Sequence, residues 1–170
     1  MKRSLIIALT VSLSSGLMAA NWAQWRGPSF NGSTVETNLP SSWSKTKNVT
    51  WKTALPGESA ATPIVWDDKV FLSSTDKEAE TLLAMCFDRT NGKLLWSHNI
   101  NEGLRRDSRS DYSSPSPATD GKVVVFFYGN GDLVTFDLEG QKLWSRNIQK
   151  EEGDFAFQWT FSSSPLLYEG

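Results

Sequence analysis

The residue types that carry most enzyme chemistry are scarce in this 170-residue chain, since His98 is its only histidine and Cys86 its only cysteine. Nucleophilic catalysis needs a base beside the nucleophile, and His98 falls in a predicted outer strand where a second repeat has Arg146. One cysteine with one histidine cannot build a zinc site. We therefore predict no catalytic, cofactor-binding or metal-binding residue, with His98 facing solvent and Cys86 buried as an inert thiol.

Acidic and glycine-rich stretches offer a second kind of chemistry. Asp67–Asp68 and Asp120–Gly121 could suggest calcium ligands, and Gly129–Gly131 could suggest a phosphate loop. The acidic pairs recur at matching positions, which favours turns stabilised by Asp side chains. No helical pattern follows Gly131, as a phosphate loop would require. All three stretches are therefore predicted to be turns.

A repeat with a period near 50 residues must position these side chains. Asp88–Ile100 is nearly repeated by Asp137–Ile148, with 49 residues from Asp88 to Asp137. Pro63, Pro115 and Pro165, each after Ser or Thr, follow at intervals of 52 and 50 residues. Such a period is typical of solenoids, propellers and other repeat arrays.

Each repeat contains four short apolar segments separated by turn residues. The predicted strands are 62–65, 69–74, 82–88 and 93–100, then 116–119, 123–128, 133–137 and 142–148, with Asn91–Gly92 as a two-residue hairpin turn. No helical periodicity follows residue 20. We predict an all-β fold, a β-propeller of four-stranded antiparallel blades, with one blade at 58–100, another at 113–148 and the start of a third at 161–170. A β-sandwich has similar strands but does not predict the repeat.

The first 20 residues are predicted to be a signal peptide. Lys2 and Arg3 precede the apolar run 5–13, and small residues lead to a cleavage site at Ala20. The apolar run is shorter than the ~20 residues that span a bilayer, so no transmembrane segment is expected after cleavage. The protein is therefore predicted to be exported, to the periplasm or the exterior.

The segment 21–57 precedes the repeats and is predicted to contain a strand at Asn48–Leu55 that closes the propeller ring. The chain carries 17 basic and 19 acidic residues, and cleavage would remove two of the basic ones. Nucleic-acid binding needs a basic surface. The charge balance therefore argues against a nucleic-acid partner.

Two linkers between blades are predicted to emerge at one rim of the propeller, where loops commonly carry function. The linker 101–114 contains Arg105, Arg106 and Arg109, and the linker 149–161 contains Trp159. These four residues form the candidate binding surface. The alternative is a pair of solvated loops of mixed charge that contact each other. Phe155, Phe157, Trp159 and Phe161 alternate like the packed face of a strand or loop.

The segment 86–96 resembles the tryptophan-docking motif of pyrroloquinoline quinone (PQQ)-type propeller repeats. Asp88, Gly92, Lys93 and Trp96 match the motif, and Cys86 takes the place of its alanine. The second copy is one residue shorter and matches at Asp137, Gly140 and Trp144. The opening 21–28 is similar to exported PQQ-like repeat proteins of environmental bacteria.

This resemblance implies an exported, non-catalytic propeller of the BamB-like kind that acts as an interaction scaffold for a protein partner in the cell envelope, without a cofactor. Quinoprotein dehydrogenases share the repeat, so the N-terminal part of a PQQ-dependent alcohol or sugar dehydrogenase is the alternative, and it alone would require PQQ and calcium. A second alternative is an extracellular glycan-binding propeller, with Trp159 stacking on sugar. Propellers have four to eight blades, so a fragment of a longer protein is expected.

Overall fold

Regular structure in the computed structural model is almost entirely β, across the residues it describes, 20–156 and 158–168. The predicted signal peptide lies outside these residues, except for Ala20. The elements are β1 (Ile64–Trp66), β2 (Lys69–Asp76), β3 (Thr81–Asp88), β4 (Leu94–Glu102), β5 (Ala118–Thr119), β6 (Val123–Phe127), β7 (Asp132–Asp137), β8 (Lys142–Asn147) and helix α1 (Ile148–Glu152).

The strands form two antiparallel sheets, each following the chain from its first strand to its fourth. One sheet has the order β1-β2-β3-β4 and the other β5-β6-β7-β8. Each sheet lies within one predicted repeat, because short turns join neighbouring strands and favour antiparallel pairing. The chain thus forms part of a β-propeller, and the predicted fold class is confirmed.

The larger of two buried apolar clusters joins the faces of the two sheets. Phe71 and Leu82 of the first sheet and Phe126 and Phe136 of the second are buried in the same cluster. Seven of the eight residues in β3 are buried, whereas β4 and β8 are largely exposed. This gradient is expected of blades that pack face to face with their fourth strands at the periphery.

The register of the sheets corrects the predicted alignment of the prolines. Ile64 of β1 and Ala118 of β5 are equivalent, because each pairs with the residue seven positions later. They directly follow Pro63 and Pro117. Aligning Pro63 with Pro115 was therefore wrong by two residues, because β2 and β3, with eight residues each, are longer than β6 and β7, with five and six.

Two predicted features of local structure were also wrong. Asn91–Gly92 is not a two-residue turn, because the turn extends from Asp88 to Lys93 and, within Asn91–Gly92, only Gly92 has a positive φ, +73°. Residues 148–152 form one helical turn, although no helix was predicted after residue 20. The side chain of Asn147 caps the start of this turn by accepting a hydrogen bond from the Lys150 amide.

The N-terminal segment runs along the inner edges of both sheets, on the side of the propeller axis. Trp22 pairs with Val65, with N···O distances of 2.8 and 2.9 Å in the two directions. The Thr119 amide donates to the Ala23 carbonyl at 2.9 Å. These bonds satisfy backbone groups of β1 and β5 that would otherwise lie on an unpaired edge.

The segments predicted to close the ring and to begin the third blade are not strands in the described part of the chain. Residues 48–55 and 161–168 have no regular pairing in the described part of the chain. A strand needs a hydrogen-bonded neighbour, and no neighbouring strand pairs with either segment there. The closure of the ring and the third blade therefore stay predictions.

Two tryptophans join successive parts of the chain by packing on glycines. A Cβ added to Gly92 would lie 2.3 Å from Cε3 of Trp51, and one added to Gly140 would lie 2.7 Å from Cγ of Trp96. Both glycines have positive φ, +73° and +91°. Each turn therefore requires glycine for two reasons, the positive φ of the backbone and the closeness of the indole.

The same tryptophans hydrogen-bond to the turns on which they pack. Trp51 Nε1 donates to the Arg89 carbonyl at 2.7 Å, and Trp96 Nε1 donates to the Leu138 carbonyl at 3.1 Å. Each acceptor directly follows the motif aspartate. Trp144 holds the equivalent position in β8, where its side chain is 44% exposed. The motif therefore fixes the contact between one blade and the next.

The motif aspartates hold the shape of these turns. Asp88 Oδ1 accepts from the Thr90 amide at 2.7 Å, and Asp137 Oδ1 accepts from the Gln141 amide at 2.7 Å. Hydrogen bonds, led by that from the Thr90 hydroxyl, lower the pKa of Asp88. Lys93 contributes backbone groups, since its carbonyl accepts from the Asp88 amide at 2.8 Å.

Gly140→Ala is expected to lower the free energy of unfolding by about 2–5 kcal/mol, because alanine is strained at this φ and its Cβ displaces Trp96. Gly103→Ala is the matched control: Gly103 has a φ of +92° and no atom within 4 Å of an added Cβ. It should lose only the backbone term of about 1–2 kcal/mol. Equal losses in urea unfolding would show that the indole contact contributes nothing.

Cys86 should resist thiol reagents in the native protein. It is fully buried in β3, and burial raises the pKa of its thiol to about 12. The thiolate is the reactive form, so labelling at mildly alkaline pH should be slow in the folded protein and rapid in guanidinium chloride. Equal labelling rates in the two conditions would contradict this prediction.

Candidate binding surface

The two predicted linkers meet at one rim, as the positions of their blades require. Arg105 Nη2 donates to the Gln158 carbonyl at 2.9 Å, and the Thr160 amide donates to Asp107 Oδ2 at 2.8 Å. Ser110 Oγ donates to the Thr160 carbonyl at 3.3 Å. The linkers 101–114 and 149–161 therefore brace each other.

Asp107 is the centre of this brace. Besides the Thr160 amide, its carboxylate accepts from the amides of Arg109 and Ser110, both at 2.9 Å, and from the Ser110 hydroxyl at 3.1 Å. These bonds, led by that from Thr160, hold the pKa of Asp107 well below its usual range. The carboxylate is therefore ionised and occupied at neutral pH.

All four candidate residues are exposed, but two of the arginines are paired within the chain. Arg106 forms an ion pair with Glu58, and Arg105 is bound to the opposite linker. Arg109 is exposed, and its guanidinium has no hydrogen bond or ion pair within the described part of the chain. Trp159 is 63% exposed. Arg109 therefore keeps its charge available, and it lines one cavity together with Trp159.

An aromatic cluster packs against the linker 149–161. The rings of Phe155 and Phe161 stack with centroids 4.6 Å apart, and Phe127 of β6 meets Phe161 edge-on at 5.5 Å. The expected alternation holds for these residues but was wrong for Trp159, which stays exposed because the chain bends at 158–159. Phe157 lies outside the described residues.

Arg109 lines several cavities, two of which also contain an indole. One has a volume of about 480 Å³ and is lined by Trp25, Thr62 and several serines, and the other, of about 560 Å³, is lined by Asp107 and Trp159. Trp25 reaches the first cavity because the N-terminal segment follows β1. Sequence reasoning missed this residue, since nothing in the segment 21–32 indicates its pairing with Val65.

His98 does not face solvent, and that prediction was wrong. Its ring stacks on Phe136 at 4.8 Å with an interplanar angle of 9°, and lies 5.4 Å from the ring of Trp96. Its Nε2 is buried without a hydrogen-bond partner in the described part of the chain. The inner face of β4 packs on the second blade, and this packing places His98 between the blades.

The donor set of the described residues does not fit a calcium–quinone centre. Calcium takes six to eight oxygen ligands, with carboxylates prominent among them. Within residues 20–156 and 158–168, no group of three His, Cys, Asp or Glu side chains is placed to hold a metal ion. The turn carboxylate of Asp120 accepts instead from the Lys122 and Val123 amides at 2.8 and 2.9 Å.

Helix α1 has five residues, and the described part of the chain contains no helix long and apolar enough to span a membrane.

Comparison with known proteins matches a family over most of the chain. The profile of the family described as "Outer membrane protein assembly factor BamB" matches residues 34–168. Among curated proteins, none matches the chain.

Several solved structures are similar to parts of the chain. BamB from Moraxella catarrhalis is 17% identical, covering 51% of this chain and 34% of that chain, with a TM-score of 0.31. A quinohemoprotein alcohol dehydrogenase from Pseudomonas putida HK5 is 20% identical, covering 71% and 17%, with a TM-score of 0.43. A europium-containing methanol dehydrogenase is 17% identical, covering 49% and 14%, with a TM-score of 0.38. The present chain thus spans at most about a third of the length of these chains.

The two repeated blades and the extent of the profile match show that the chain belongs to the family of the outer membrane protein assembly factor BamB and is a PQQ-like propeller repeat protein.

Proposed function

We propose that the protein is a non-catalytic propeller scaffold that binds a protein partner in the cell envelope, after export to the periplasm or the exterior. The braced linkers that present Arg109 and Trp159 at one rim are the observation that carries this proposal. Membership of a family described by outer membrane protein assembly supports it. The predicted signal peptide would provide the export step.

The rim has the physical properties of an anchoring surface. Tryptophan and arginine are enriched among the residues that dominate binding energy at protein interfaces. The Asp107 brace holds the loop backbone in one conformation before binding, which lowers the entropy cost of association. An exposed Trp159 beside an unpaired Arg109 suits a partner with an apolar side chain next to a carboxylate.

The motif residues support a structural role for the blades. Asp88 accepts hydrogen bonds from its own turn, Gly92 lies against Trp51, and Trp96 packs between the sheets. The proposal assigns no cofactor to these residues, and dye-linked alcohol oxidation by protein incubated with PQQ and calcium would contradict it.

Arg109→Glu and Trp159→Ala are each expected to weaken affinity for the partner in envelope extract by about thirtyfold, since hot-spot residues each contribute on the order of 2 kcal/mol. The measurement is affinity capture with the tagged protein followed by quantitative mass spectrometry. Lys122→Glu is the matched control, because Lys122 is an exposed cation on the turn at the other end of β5.

Recovery of one protein by the wild type and by Lys122→Glu, with loss in both rim variants, would support the proposal. Equal recovery by all four proteins would place any interaction elsewhere and overturn the assignment of this rim.

Asp107→Asn is expected to release the linkers, because an amide accepts fewer bonds from the three backbone donors and carries no charge. Hydrogen exchange at the Thr160 amide should accelerate by about tenfold, as expected when a charge-assisted hydrogen bond is lost. Asp154→Asn is the control, an exposed carboxylate on the second linker. Unchanged exchange in Asp107→Asn would contradict the brace.

Lowering the pH is expected to release the linkers, as Asp107→Asn does. The pKa of Asp107 is lower in the folded protein than its ordinary value of about 3.9. The stability that the ionised carboxylate gives to the folded linkers is therefore complete above a pH equal to the ordinary value. It is lost as the pH falls from there through the folded pKa. Thr160 exchange, corrected for the intrinsic effect of pH, should therefore show no loss of protection near neutrality.

A further inference from the structure

The two indole-lined cavities beside Arg109 share three residues. Arg109, Ser110 and Ser162 line both the cavity of about 480 Å³ and that of about 560 Å³. Trp25 lies on the first and Trp159 on the second. A ligand seated at Arg109 can therefore extend in two directions, with an indole in each.

The first cavity presents hydroxyl groups that retain a free proton. Ser116 Oγ accepts from the Thr62 amide at 2.9 Å, and Ser164 Oγ accepts from the Ser116 amide at 3.0 Å. A hydroxyl that accepts in this way still has its O–H to donate. Ser162 and Ser163 add two further hydroxyls to the same wall. The cavity thus matches a ligand with many hydroxyl oxygens.

Arg109 supplies the charge of this site. Its guanidinium has no partner in the described part of the chain, whereas Asp107 on the second cavity is already bound by backbone and hydroxyl donors. Arginine can bind a carboxylate through two parallel hydrogen bonds. The site therefore favours a ligand that carries a carboxylate between two uncharged portions.

The indoles supply apolar faces on either side. Trp25 is 53% exposed and Trp159 is 63% exposed. Arg26 lies 5.4 Å from the Trp25 ring centroid and supports that ring. Flat, partly exposed aromatic rings with nearby hydroxyl donors bind molecules that have both C–H faces and polar edges.

We propose that the Arg109 cavities bind an acidic oligosaccharide, with a uronate carboxylate on Arg109, hydroxyls on the serine wall and sugar faces on Trp25 and Trp159. A nucleic acid is disfavoured, because one arginine in an acidic chain does not neutralise a polyphosphate. This site shares Arg109 and Trp159 with the proposed partner surface and adds Trp25. Trp25→Ala should weaken sugar binding and leave partner capture intact, so either proposal can fail alone.

The test is titration calorimetry with trigalacturonate, supported by quenching of tryptophan fluorescence. The matched neutral probe is the galactose trimer, in which each carboxylate is replaced by a hydroxymethyl group. The acidic trimer should bind at least about tenfold more tightly than the neutral one, because a charge-assisted bidentate contact is lost. Acetate is the third probe, since it presents the carboxylate without the sugar.

Arg109→Gln should remove most of the preference for the acidic trimer, and Trp25→Ala should weaken both trimers. Lys122→Gln is the matched control and should bind as the wild type does. Each variant is at an exposed side chain, and thermal unfolding checks that it remains folded.

Preference for the acidic trimer that is lost in Arg109→Gln and kept in Lys122→Gln would support the site. Three results would overturn it: no binding of either trimer, equal binding of both by the wild type, or acetate binding as tightly as the acidic trimer. Unchanged binding by Arg109→Gln would also overturn it.

Discussion

The packing of an indole on a glycine turn is the contact on which the assembly of this chain depends. Trp51, Trp96 and also Trp66 lie against Gly92, Gly140 and Gly121, each a glycine with positive φ. A sheet of four short strands buries too little by itself to be stable, so it needs a neighbour on its face. The indole both fills the space beside the turn and donates to its carbonyl in two of the three cases.

This way of joining blades determines where binding groups can appear. The inner and central strands are buried in the shared core, and the turns carrying the motif are covered by tryptophans. The linkers between blades are free to vary, because they lie outside both contacts. Arg109 and Trp159 are accessible for that reason, and Asp107 gives their loops a fixed shape.

The N-terminal segment connects the core of the blades to this surface. Trp22 and Ala23 pair with the inner edges of the two sheets, and the chain then carries Trp25 to the cavity at Arg109. The segment therefore protects two strand edges and contributes a side chain to the candidate site.

The sequence by itself determined the two four-stranded blades and the positions of the motif residues, because these depend on local periodicity and on residues at fixed offsets within a repeat. It misjudged His98, because the orientation of this side chain depends on how one blade packs on the next. It misjudged the equivalence of Pro115, because strand lengths differ between the two blades. Only the tertiary structure separated Arg109 from Arg105 and Arg106, because charge pairing is decided by side chains distant in sequence. It alone placed Trp25 beside Arg109, since an edge strand's partner is chosen by unpaired backbone groups that no local pattern encodes.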